Sequence, residues 1–217
     1  MSDFQTRPRP LPPLLSHEFR SVQRYWDPVN HLYAAKIAPG EYYATQSGEM
    51  IVTVLGSCVA ACIRDTHTGL GGMNHFMLPF DPDFNGDWRK DCLSRASRYG
   101  NVAMEKLINI ILANGGRRQR LECKIFGGAA VLNLESDIGQ QNINFIRDYL
   151  RIENIQIAAS DLGGKQPRKL RYYPVTGLVR LKKLQSVANT TLQMRELSYQ
   201  QQLQQRPLSN EVTLFNE

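Results

Sequence analysis

Met50-Ile51-Val52-Thr53-Val54-Leu55, then Gly56-Ser57-Cys58, then Val59-Ala60-Ala61-Cys62-Ile63 is the stretch that decides how this 217-residue chain is read. The first run is rich in β-branched residues, the glycine–serine pair breaks it, and a second apolar run resumes at once. That is the pattern of two buried strands joined by a tight turn. Downstream, Asp65 to Gly69 is a turn, and Leu70 to Leu78 is a third extended segment ending at Pro79. Ala103, Leu107, Ile110 and Ile111 recur at helical spacing and predict a helix from near Leu93 to Asn114, with Gly115-Gly116 as its stop. Leu121 to Phe126 reads as a strand ending in the small-residue turn Gly127-Gly128-Ala129. Ile143, Ile146, Tyr149 and Leu150 mark a second amphipathic helix, Ile155 to Ala159 a strand, and Leu170 to Tyr173 with Leu178 to Leu184 a hairpin. Strands interleaved with two amphipathic helices predict an α/β fold, a layered sandwich of mixed β-sheet with flanking helices.

Away from this centre the signal weakens. Tyr25 to Tyr43 mixes aromatics with Pro28, Pro39 and Gly40 and shows no clean period. Four prolines between Pro8 and Pro13 suit an extended or mobile arm, assigned to residues 1–30. Six glutamines between Gln193 and Gln205 make 186–217 a polar tail, either a helix laid on the surface or disordered, and leave 31–185 as the compact domain. Removing both tails is therefore expected to expose little buried surface. The composition, 42% hydrophobic and 21% charged, is that of a globular protein. The uncharged run from Met50 to Ile63 is 14 residues long and broken by Gly56, short of the roughly 18 a membrane-spanning helix needs. No secretory apolar core follows Met1, so no membrane insertion and a cytoplasmic location are expected. The four cysteines are too sparse for a disulfide scaffold.

The chemistry-bearing candidates cluster around the central turn. Cys58 follows a strand on a turn of small residues, where backbone N–H groups near Ser57 and Cys58 can hold an anionic oxygen. His75, 17 residues later in Gly71-Gly72-Met73-Asn74-His75, lies on a neighbouring extended segment. Imidazole beside a thiol is the minimum for nucleophilic thiol catalysis. On spacing alone, catalysis and simple core packing of Cys58 both stay open. Cys62, Cys92 and Cys123 are read as packing residues and His67 as a solvated turn residue, while His17 and His31 suggest nothing. A zinc site from Cys58, Cys62, His67 and His75 does not have the tight paired spacing of structural zinc. Gly71-Gly72 and Gly127-Gly128 lack the Lys and spacing of a P-loop. No metal and no cofactor are expected.

Thr53 to Cys62, followed by Gly72-Met73-Asn74-His75-Phe76-Met77-Leu78-Pro79, resembles the signature of the CheD family, the chemoreceptor glutamine deamidases. Three later blocks agree in order: Lys124 to Ala129, Ile138-Gly139-Gln140-Gln141-Asn142, and Asp161-Leu162-Gly163-Gly164 leading to Arg168-Lys169 and Thr176-Gly177. The likeness covers about residues 40–184. Pro167 stands where the pattern has Gly, and both tails exceed the usual family length. The resemblance implies a Cys-His-Thr arrangement of Cys58, His75 and Thr53, and an architecture similar to the cytotoxic necrotizing factor-type deamidases. It implies hydrolysis of receptor glutamine to glutamate through a Cys58 thioester, and receptor methylesterase activity by the same route. The implied partners are chemoreceptor cytoplasmic domains and the chemotaxis phosphatase CheC.

Two other classes compete. A non-catalytic adaptor binding receptors or CheC would carry the same blocks. A nucleic-acid binder would explain the net charge of +6, the seven basic residues from Lys165 to Lys183, and Arg117, Arg118 and Arg120. No nucleic-acid motif accompanies these charges, so no nucleic-acid partner is expected.

Overall fold

A computed structural model describes residues 10–79, 95–131, 138–185 and 190–205. The arm residues 1–9 and Cys92 lie outside the described residues. Among the described residues, ten strands form two five-stranded sheets. The first contains β1 (Gln23–Asp27), β2 (Leu32–Lys36), β4 (Met50–Leu55), β9 (Arg168–Tyr173) and β10 (Leu178–Lys183), in that spatial order. In the second the order is β3 (Tyr42–Thr45), β6 (Gly71–Asn74), β5 (Val59–Asp65), β7 (Leu121–Gly127) and β8 (Gln156–Leu162). Both sheets are mixed: β2 runs parallel to β4 and β7 parallel to β8, and the other pairings are antiparallel.

Helices α1 (Arg95–Ala113) and α2 (Ile138–Ile152) pack on the second sheet. One contiguous apolar cluster runs from Ile51, Leu55 and Leu170 of the first sheet through Ala61, Cys62 and Ile125 of the second to Leu107 and Ile146 of the helices. The fold is the layered α/β sandwich expected. Near-continuous burial of β4 and β5 explains why they read as unbroken apolar runs rather than alternating ones.

Two stretches differ from the sequence reading. The stretch around Tyr25 to Tyr43 falls within three strands spanning residues 23–45, with Pro28, Pro39 and Gly40 confined to the connections, so the turn residues masked short strands. Within the segment expected as an arm, His17–Ser21 forms a 3₁₀ turn that buries Phe19, and β1 pairs with β2 along its length. Phe19 packs against the rings of Tyr42 and Tyr43, which fixes this segment to the body. Of the two forms open to the Gln-rich tail, residues 190–205 take the helical one, α3 (Thr190–Gln205).

Candidate active site

β4 belongs to the first sheet and β5 to the second, so the chain crosses between sheets at Gly56-Ser57-Cys58. The carbonyls of this crossing are all held from behind. Gly128 N–H donates to the Cys58 carbonyl (2.8 Å), Ala129 N–H to that of Gly56 (2.7 Å), and Asn142 Nδ2 to that of Ser57 (2.8 Å). With the carbonyls turned back, the three N–H groups converge on the other side. There they meet the carboxylate of Glu196 from α3: Gly56 N–H at 2.9 Å, Ser57 N–H at 2.9 Å, Ser57 Oγ at 2.8 Å, and Cys58 N–H at 3.5 Å. The turn thus cradles a carboxylate on the N–H groups of Gly56, Ser57 and Cys58.

Three family-like blocks meet behind this turn. Gly127 adopts φ +114°, and a β-carbon there would lie 2.2 Å from the Cys58 carbonyl oxygen, so only glycine lets β7 end against the crossing. Asn142, fully buried on α2, also accepts from Leu78 N–H at 2.8 Å, tying the turn to the segment that carries His75. Gly163 N–H donates to the Gly127 carbonyl, and the buried Arg168 guanidinium bonds both Asp161 and the Gly163 carbonyl. Asp161 is held below the usual carboxylate range; burial opposes this, but hydrogen bonds from Arg168 and Lys183 outweigh it.

Val59 and Phe76 exchange both backbone hydrogen bonds (2.9 and 3.0 Å), an isolated antiparallel bridge that extends the β5–β6 pairing. Cys58 and His75 each precede a bridge residue. They are therefore diagonal neighbours on the face opposite Val59 and Phe76. Both are buried, Cys58 at 0% and His75 at 2% exposure. Thr53 reaches the same place from the first sheet: its Oγ1 lies 2.9 Å from the Ile37 carbonyl and 2.8 Å from His75 Nδ1. A carbonyl can only accept, so the single hydroxyl proton goes to Ile37. His75 must then donate Nδ1–H to Thr53, which leaves Nε2 as the basic nitrogen. Nε2 is buried and has no hydrogen-bond partner among the described residues. Thr53 and His75 are in hydrogen-bond contact across the two sheets, and Cys58 lies diagonal to His75 across the Val59–Phe76 bridge.

The electrostatics are those of a covered site. Burial pushes the Cys58 thiol well above its ordinary value, and the nearby Glu196 carboxylate adds to the rise. Burial also lowers His75 to about 3, so its imidazole is neutral. Cys62 and Cys123 are buried in the core, and His67 is exposed on its turn. Among the described residues no cluster of metal-binding side chains forms, and no helix is long and apolar enough to cross a membrane. A cavity of about 1030 Å³ opens beside the site, with Thr53, His75, Lys36 and Lys169 on one wall and Arg195 and Tyr199 of α3 on the other. Several basic residues are paired with carboxylates: Arg168 and Lys183 with Asp161, Arg120 with Asp65, and Arg118 with Glu153.

Residues 77–183 match the model of the family described as CheD chemotactic sensory transduction. A protein of Halorhodospira halophila is 51% identical over 197 residues, spanning 91% of each chain. The chain belongs to the CheD family. A relative from Hahella chejuensis is 47% identical over 215 residues, 99% of this chain and 100% of its own. One from a Janthinobacterium species is 49% identical over 204 residues, 93% and 98% respectively. All three carry the name "Probable chemoreceptor glutamine deamidase CheD". The Hahella match takes in α3, so the long tails expected to set this chain apart are shared with at least one CheD relative. In the sequence alone, Asn142 and Glu196 have no individual role and Gly127 is marked only as a turn residue. Asn142 and Gly127 sit inside quoted blocks, and Glu196 is the only acidic residue between Asp161 and Glu211.

Proposed function

We propose that this CheD protein hydrolyses the side-chain amide of specific glutamines in chemoreceptor cytoplasmic domains, with Cys58 as nucleophile. The observation that supports the reading is the relay from His75 Nδ1–H to Thr53 to the Ile37 carbonyl, which leaves Nε2 as the basic nitrogen on a residue diagonal to Cys58 across the Val59–Phe76 bridge. Nε2 takes the Cys58 proton as Sγ attacks the carboxamide carbon, and the negative oxygen forms against the N–H groups of Ser57 and Cys58, helped by Gly56. One such donor is typically worth about 3 kcal/mol in the transition state. Protonated Nε2 returns the proton to the departing nitrogen, which leaves as ammonia, and a thioester remains. Nε2 then deprotonates water, water attacks the thioester, and the Cys58 sulfur leaves and is reprotonated, giving glutamate. A glutamyl methyl ester has the same acyl carbon and would pass through the same thioester with methanol leaving. Lys36 and Lys169, flanking the site, suit an acidic receptor surface. CheC would compete for that face, and the receptor's cytoplasmic region sets the reaction in the cytoplasm.

The test is incubation with receptor cytoplasmic fragments followed by peptide mass spectrometry. A gain of about one dalton at particular glutamines is expected, the balance of water in and ammonia out. Fragments that bind but keep every glutamine would contradict the reading and favour a non-catalytic adaptor.

A further inference from the structure

The contact between α3 and the Gly56–Cys58 turn places a carboxylate where the reaction's own product would sit. Glu196 is 0% exposed and engages every inward N–H of the cradle, plus the Ser57 hydroxyl. The fit is close: a β-carbon on Gly56 would fall 2.7 Å from both Glu196 oxygens and 2.6 Å from Val131. Buried carboxylates are costly unless fully hydrogen-bonded, and this cradle meets that need with charge-assisted bonds.

The rest of α3 follows one track. Gln193, Glu196, Tyr199, Gln200 and Leu203 recur at helical spacing on the inward side. Gln193 Nε2 donates to the Val131 carbonyl at 2.8 Å, the Tyr199 and Tyr99 hydroxyls meet, and Gln200 and Leu203 are buried. A helix docked for stability alone would bury an apolar stripe. This one buries a glutamate and a glutamine and leaves Met194 65% exposed and Leu197 38% exposed. Its inward side presents the Glu196 carboxylate to the Gly56–Cys58 turn.

We propose that α3 is an intrachain, product-like occupant of the substrate site. A receptor helix would dock along the same track with its target glutamine in the place of Glu196, and α3 must leave first. The first half stands on the contacts alone; the second rests on the deamidase reading above. While α3 is seated, Cys58 is covered and no carboxamide can reach the cradle. Displacement by a glutamine- and glutamate-bearing helix would couple exposure of the thiol to arrival of substrate.

The test compares the full-length protein with Glu196→Ala and, because that change strands buried N–H groups, with Leu203→Asp, which loosens α3 without touching the cradle. Iodoacetamide labelling of Cys58, read by peptide mass spectrometry, should be about tenfold faster or more in both variants, since reactivity follows the fraction of open molecules. A receptor fragment should speed labelling of the native protein, and both variants should deamidate that fragment with higher kcat/KM. Labelling of native Cys58 already as fast as in both variants would overturn the proposal, whether or not the receptor is deamidated. Faster labelling in both variants with no deamidation by any form would uphold α3 as the cover of Cys58 and refute the deamidase reading instead.

Discussion

At Thr53 one hydroxyl proton decides which nitrogen of His75 is basic, and the consequence can be measured. Thr53→Val removes the acceptor for Nδ1–H and should lower kcat about 10–100-fold, the range typical of losing a partner that orients an imidazole. Thr53→Ser keeps the hydroxyl and should retain most activity, an asymmetry that simple packing would not produce. His75→Ala should cost roughly 10²–10⁴ in turnover if Nε2 is both base and acid. Cys58 makes a prediction in pH. Burial and the Glu196 charge both disfavour the thiolate, so alkylation of native Cys58 should rise only above the ordinary thiol range of about 8.5. In Glu196→Ala one of the two causes is gone and the inflection should move to lower pH. An inflection in the same place in both proteins would mean that Glu196 does not act on the thiol.

At the scale of elements, the site is a turn held by its neighbours. Asn142 bonds the Ser57 carbonyl and the Leu78 N–H from inside the protein. Asn142→Leu strands both groups and should destabilise by roughly 2–4 kcal/mol, judged by the usual cost of buried unpaired polar groups. Gly127→Ala should fail more completely, because its φ and the nearby Cys58 carbonyl leave no relaxed place for a methyl group. Urea denaturation of both variants checks the order. The buried elements were readable in the sequence because burial on both faces writes itself as unbroken apolar runs, as in β4 and β5, and because Gly115 and Gly127 punctuate them. Strands β1 to β3 were not, since runs of four or five residues among prolines carry too little period. The Cys58–His75 pair was legible as residues but not as geometry, which needs the Val59–Phe76 bridge. The third partner's role came from family likeness, and nothing local in Thr53 points to His75. Glu196 lies 138 residues from Cys58, and its one signal was a lone acidic residue in a glutamine-rich segment.

For the whole molecule, stability should depend on pH in a direction that His75 sets. Unfolded, its imidazole takes a proton near the ordinary value of about 6.5; folded, it resists down to about 3. Between these values the unfolded chain binds the extra proton, so stability falls as pH drops through this window. Asp65, held well below the usual carboxylate range by backbone N–H donors and Arg120 against the pull of burial, adds a loss of the same sign at the acid end. His75→Gln should flatten the upper part of the slope, as urea titrations from about pH 7 to about pH 4 would report. The terminal segments belong to this scale too. Phe19 and β1 are built into the first sheet, so deletion through Pro28 should lower the melting temperature, contrary to what an arm-like N-terminus would give. The central claim is that the Cys58 sulfur forms the bond to the glutamine carbon. Its most direct measurement is deamidation of one receptor cytoplasmic fragment by native protein and by Cys58→Ala, side by side, with the variant's fold confirmed by an unchanged melting curve. Native protein should form glutamate and the alanine variant none above background; a Cys58→Ala protein that still converts glutamine to glutamate would mean that the sulfur is not the nucleophile.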